Sequence, residues 1–335
     1  MKNVLKVTFL YIGLVIGAGF ASGREILEFF NFKNREDFTG IILAATVFSF
    51  VVYIILIKSK HYQTNDFFEF TDLVSGKAGY YIKKFMFLYM FAGFFVMLSA
   101  GGTLCSFSLG CEKKLGIIFM TVFCFFVLVF ESKGIVILNS ILVPIMIAGI
   151  LYISISSILF GSVTTFTGFD KVKNNFLASA VCYVSYNTIN AGAVLVPCSS
   201  EISEKEIKIS ALLSGIILGT LIFVVWLVQN VFFDEIYTSE FPMLDIAARQ
   251  GELQKNIYSL ILFMSICTTA VSCGYGVLST FKLKKKSEKI LAVLILCLLA
   301  APLAYLEFSA LVAQVYSMFG YVGLIWIVFL FKSLC

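Results

Sequence analysis

The sequence predicts an all-α integral membrane protein of about ten transmembrane helices in a five-plus-five inverted repeat. Three observations carry this. The 335 residues are 60% hydrophobic and 13% charged, with mean hydropathy +0.97, a balance a soluble domain has no use for. Apolar runs of roughly 20 residues, the length a bilayer requires, recur at about 5–30, 38–58, 81–109, 115–130, 134–160, 174–198, 206–233, 256–281, 288–305 and 308–331. The first run of each set of five carries helix-breaking residues at its middle, as paired inverted repeats do. The chain therefore reads as one transmembrane domain, 1–335, with repeats at 1–160 and 174–335.

The first span is interrupted at Ile16-Gly17-Ala18-Gly19-Phe20-Ala21-Ser22-Gly23. Its glycines restore backbone freedom that a helix must remove. Ser22-Gly23-Arg24-Glu25 then fits a capping box that starts a second half-helix; Glu25 reads as the cap partner of Ser22 or as a functional ionisable group, since such groups within spans are costly. Unwound backbone at membrane depth survives only where it lines a cavity or binds something. The lysines and small residues here also resemble a signal peptide, but apolar residues continue through Ile26, Leu27, Phe29 and Phe30, so the segment reads as a span.

The sixth span runs Tyr183-Val184-Ser185-Tyr186-Asn187-Thr188-Ile189-Asn190-Ala191-Gly192 and reaches Pro197. Asparagine competes with the helical backbone for hydrogen bonds and proline removes an amide donor, so a second mid-membrane break is expected here. Ser203-Glu204-Lys205-Glu206 is a further capping box, opening the seventh span. Longer connections at 61–80 and 234–255 occupy matching places in the two halves.

Charge sets the topology. Lys2, Lys6, Lys58, Lys60, Lys77, Lys83, Lys84 and the basic cluster at 282–289 fall on one side, and the acid-rich 234–255 loop on the other. The positive-inside rule places both termini in the cytoplasm of a cell (plasma) membrane protein. The basic cluster is a membrane-surface anchor and not a nucleic-acid site. Of the nine cysteines, Cys105, Cys124, Cys182, Cys267, Cys273 and Cys297 lie within spans, no CxxC pair occurs, and His61 is the one histidine. A zinc site and histidine-based catalysis are thereby disfavoured. The scarcity of ionisable groups within the spans argues against an enzyme. No GxxxxGK[ST] motif for ATP use occurs.

Ile16-Gly17-Ala18-Gly19-Phe20 is similar to the first-helix signature of the amino acid/polyamine/organocation superfamily. The longer string from Gly13 to Glu25 closely resembles the YkvI-type membrane proteins of Gram-positive bacteria. The resemblance implies a LeuT-like fold, with helices 1, 3, 6 and 8 around a midplane site. It also implies movement of an amino acid or organic amine coupled to sodium or protons, or, in some relatives, nutrient reception without transport.

On that reading the backbone of Gly17, Ala18, Gly19, Phe20 and Ala21 meets the substrate, because half-helix termini offer unpaired amides and carbonyls. Tyr186, Asn187, Asn190 and Gly192 face it from helix 6, and Gly93, Ser99, Gly101 and Gly102 offer small surfaces from helix 3. In helix 8, Thr268, Thr269 and Ser272 can share a face. The resemblance to sodium symporters carries a sodium site onto the Thr268 and Thr269 hydroxyls with the carbonyls of Gly13, Ile16 and Ser265. Proton-coupled relatives often place a lysine in helix 5; the span 134–160 has none, which favours sodium. The expected partners are a small-molecule substrate and lipid, with no cofactor beyond the coupling ion.

Overall fold

A computed structural model describes residues 2–30, 37–130, 134–160, 176–281 and 285–332, leaving aside the side chains of 2, 37, 134–141, 160, 176, 190 and 193. Among the described residues the regular structure is entirely helical. The elements are α1 (Lys2–Val15), α2 (Ala18–Ala21), α3 (Arg24–Phe29), α4 (Asp37–Tyr62), α5 (Phe67–Ser75), α6 (Gly79–Leu109), α7 (Lys113–Phe130), α8 (Gly134–Phe160), α9 (Phe176–Cys198), α10 (Glu204–Val231), α11 (Phe233–Ile236), α12 (Pro242–Gln250), α13 (Glu252–Ser279), α14 (Lys286–Leu303), α15 (Phe308–Leu311) and α16 (Ser317–Lys332). A π-helical turn, Val312–Tyr316, joins α15 to α16.

Seven helices among the described residues are long and apolar enough to cross a membrane. They comprise α4, the α5–α6 run, α7, α8, α10, α13 and the α15–α16 run. The other spans read from the sequence fall on α1–α3, on α9 with 23 residues and on α14 with 18. The long connections are not plain loops. That at 61–80 holds α5, capped by Asp66, whose carboxylate accepts from Glu69 N at 2.8 Å. That at 234–255 holds α11 and α12, and α12 buries Met243, Leu244, Ile246 and Ala247.

The bundle is held by close helix pairs. α4 lies along α10, α6 along α13 and α9 along α16. Small residues set these approaches, as expected where lipid provides no hydrophobic drive. A Cβ on Gly219 would meet the Ala45 methyl at 2.6 Å, and one on Gly320 would meet Cys182 backbone at 3.0 Å. Gly101 and Gly102, expected to face a pocket, instead receive Met120 and Ile117 of α7.

The expected break in the sixth span is absent. α9 runs unbroken from Phe176 to Cys198. Its polar residues bond back to their own helix: Ser185 Oγ donates to Val181 O at 2.6 Å, Asn187 Nδ2 to Tyr183 O at 2.9 Å and Thr188 Oγ1 to Val184 O at 2.7 Å. Side chains satisfied in this way have no need to open the ladder. Pro197 sits in the last turn, so the one amide bond it removes lies at the helix end and the ladder before it is left intact.

Candidate functional site

The first span breaks twice. α1 ends at Val15, α2 is a single turn of four residues, and α3 begins at Arg24. At the first break the Gly17 amide turns back to Val15 O at 2.9 Å, and helical bonding resumes only with Ala21 N to Gly17 O at 2.9 Å. Ile16, Ala18, Phe20 and Ala21 are all buried. At the second, Gly23 takes φ +80°, a left-handed conformation that side-chain-bearing residues rarely hold. Ser22 does not form the expected capping box. Its amide bonds Ala18 O, while its hydroxyl donates to Gly19 O at 2.8 Å and accepts from Arg24 N at 3.2 Å. With Gly23 as the residue entering α3, no side chain caps the helix and Glu25 is released from that role.

The main chain after the break is fastened from three other elements. Tyr258 of α13 donates its hydroxyl to Ala21 O at 2.7 Å, the Met243 amide of α12 donates to Ser22 O at 2.9 Å, and Gln229 Nε2 of α10 donates to Gly23 O at 2.8 Å. Arg24 reaches the carbonyls of Tyr237 and Ser239, both at 3.1 Å. At the far end of the same span, Lys6 pairs with Glu201 at 2.6 Å and Asn3 Nδ2 donates to Glu201 O at 2.9 Å.

Glu25 points inward. Its carboxyl group covers the Cα face of Gly19, where a Cβ would fall 2.6 Å from Glu25 Cδ and 2.7 Å from Cγ. The side chain is buried, and Tyr186 of α9 faces it. Around them stand Phe29 at 5.5 Å from Tyr186 (ring centroids), Tyr183 at 5.6 Å and Tyr316 of the π-helical turn at 5.0 Å. Tyr89 of α6 adds a further ring at 6.4 Å from Tyr186.

Of the residues expected at the site, the structure gathers Gly17, Ala18, Gly19, Phe20, Ala21, Ser22, Glu25 and Tyr186. Asn187 commits its amide nitrogen to its own helix. Gly192 is elsewhere, with a Cβ there only 3.0 Å from Phe67 Cζ of α5. The Asn190 side chain lies outside the described residues. Tyr258, Gln229 and Tyr316 were missed by sequence reasoning. A polar Gln229 and a tyrosine within apolar runs were the available signals.

The hydroxyl set of α13 divides. Thr269 meets the first break, with a Cβ on Gly17 placed 3.2 Å from Thr269 Oγ1. Ser265 is buried and its hydroxyl has no partner. Thr268 Oγ1 donates to Ser265 O at 3.0 Å within the helix. Ser272 does not join them, because it points to the exposed side of α13. Gly13 packs on Val143 of α8. No cluster of metal-binding His, Cys, Asp or Glu occurs among the described residues.

No protein-family profile matches the chain. It is 29% identical over 328 residues to the uncharacterized membrane protein YkvI of Bacillus subtilis (strain 168), covering 96% of this chain and 93% of that protein. It is also 29% identical over 325 residues to the uncharacterized protein YyaD of the same organism, at 96% and 94% coverage. Among solved structures it is similar to a manganese transporter of Eremococcus coleocola, with TM-score 0.67, 13% identity and coverage of 97% and 77%. MhsT in complex with L-phenylalanine gives TM-score 0.66, 15% identity and coverage of 95% and 86%. A substrate-bound Na+-coupled sialic acid symporter gives 0.65, 12%, 96% and 76%. The chain has the LeuT-like fold of these transporters.

Proposed function

We propose that the chain is a secondary active transporter of a small organic solute, an amino acid or related amine, coupled to sodium or protons by alternating access. The single observation that carries the reading is the doubly interrupted first span, buried at the centre of a transporter fold. Broken helices of this kind expose main-chain groups to a solute without exposing them to lipid. Gly17 to Ala21 supply those groups, and Tyr186 closes the site from α9.

Sodium is the favoured coupling ion. The Thr269 hydroxyl beside Gly17 and the unpartnered Ser265 hydroxyl are hard oxygen donors of the type small cations take. With them we group Thr268 and the carbonyls of Gly13 and Ile16. Pairing of α4 with α10 and of α6 with α13, the second and third helices of each half, supports the five-plus-five repeat. The distribution of lysines along the sequence supports cytoplasmic termini in the plasma membrane.

Proteoliposome uptake of radiolabelled L-amino acids under an inward sodium gradient tests the proposal. Accumulation that collapses when sodium is equilibrated is expected. Binding without accumulation under any ion gradient would make the chain a nutrient receptor instead.

A further inference from the structure

The structure assigns Glu25 as the group that receives the positively charged end of the substrate, which must therefore carry an ammonium. This deepens the transport reading above and rests on it.

Glu25 is buried, and its Oε2 has no hydrogen-bond partner. The Tyr186 hydroxyl is set to donate to this carboxyl group, while the hydroxyl of Tyr183 beside it lacks a partner, as does that of Tyr11 next to Tyr183. Three buried polar atoms in one cluster without partners (Glu25 Oε2 and the hydroxyls of Tyr183 and Tyr11) are a marked departure from ordinary interiors. No basic side chain neutralises the acid among the described residues. Ion pairs such as Lys6–Glu201, Arg24–Glu28, Lys83–Asp72 and Arg249–Glu235 lie elsewhere and do not include Glu25. Ionisable groups within spans are costly and persist where they serve a function.

The missing partner must donate hydrogen bonds. A carboxylate only accepts, a tyrosine hydroxyl can accept as well as donate, and an ammonium brings three donors and a full positive charge. The rings of Tyr183, Tyr186 and Tyr316 add quadrupole faces that favour a cation. A proton alone would neutralise Glu25 yet leave the Tyr183 and Tyr11 oxygens without donors. The carboxyl also lies against Gly19, so an ammonium on it sits next to the opened main chain.

The test is thermal stabilisation of the detergent-purified full chain by L-amino acids, each run beside its decarboxylated amine and its deaminated acid. Stabilisation by amino acids and amines, and none by the deaminated acids, is expected. Glu25→Gln should weaken ammonium binding at least tenfold while the ligand-free protein stays folded. Tyr186→Phe serves if Glu25→Gln does not fold, and should weaken the same compounds several-fold. Deaminated acids binding as well as amines would overturn the assignment, as would unchanged amine binding in Glu25→Gln or no shift with any ammonium compound. Sodium-driven uptake retained alongside such a result would leave transport standing and remove only the role of Glu25. Loss of proton-driven uptake in Glu25→Gln with amine binding intact would make Glu25 a proton carrier and overturn the proposal too.

Discussion

Substituting Gly23 by alanine separates two costs that the structure places at one residue. The first is conformational. A φ of +80° costs an L-residue about 1–2 kcal/mol relative to glycine. The second is steric. The new methyl would fall on Gln229 Nε2 and 2.7 Å from Met243 Cγ, well inside the ordinary contact range that begins at 3.4 Å. Both neighbours are buried and bonded to this segment, so overpacking adds about 1–3 kcal/mol. Gly110 supplies the control, since its φ is +66° and nothing lies within 4 Å of its would-be methyl. Gly110→Ala should therefore lose only the conformational part, and Gly23→Ala about 2–5 kcal/mol in total. Unfolding titrations in mixed detergent micelles read both values. Combining Gly23→Ala with Gln229→Ala should cost less than the sum of the single variants, because one clash is shared. Equal losses at Gly23 and Gly110, or strict additivity with Gln229→Ala, would refute the packing described for this break.

Other expectations follow from the same contacts. Tyr258→Phe removes the donor to Ala21 O and leaves a buried carbonyl unpartnered, so stability should fall by about 1–3 kcal/mol in the same titration. Thr269→Val keeps the shape beside Gly17 but removes an oxygen. The sodium concentration giving half-maximal stabilisation should rise by about tenfold or more, the effect of about 1.4 kcal/mol of lost binding. Burial raises the Asp245 carboxyl above its usual range, against the bond from Ser239 Oγ and the charge of Lys255. The folded chain thus binds this proton more readily than the unfolded chain, and the associated stability is present at low pH and lost as pH rises through the folded value. Asp245→Asn should accordingly be more stable than the parent near neutral pH, with the gain vanishing below about pH 4.

Much of the architecture could be read from residue chemistry alone. Glycines at 17, 19 and 23 weaken a helix wherever they occur together, so the interrupted first span was visible in sequence. The sixth span departs from its expected break because asparagine and threonine signal two opposite outcomes. They break a helix when their side chains seek partners outside it, and leave it whole when they bond the carbonyl four residues back, as Asn187 and Thr188 do. The direction of Glu25 was hidden for another reason. It depends on how far the chain rotates across Ser22 and Gly23, and a left-handed residue replaced the capping box that would have held the acid outward. The tyrosine cluster joins α6, α9 and the π-helical turn, elements whose relative rotation no local pattern records.

The two ends of the first span are tied by bonds of unlike kind, and ionic strength acts on them unequally. Lys6 and Glu201 are 50% and 59% exposed, so their attraction is worth about 0–1 kcal/mol and is screened by added salt. The bonds that fasten Ala21 and Gly23 run to the buried side chains of Tyr258 and Gln229, with neutral donors and no counterion to recruit. Concentrated salt therefore weakens the Lys6–Glu201 pair at the N-terminal tip of α1, where Asn3 still donates to Glu201 O, while the segment around Gly23 is left untouched. Ionic strength thus reaches one end of the span and not the other.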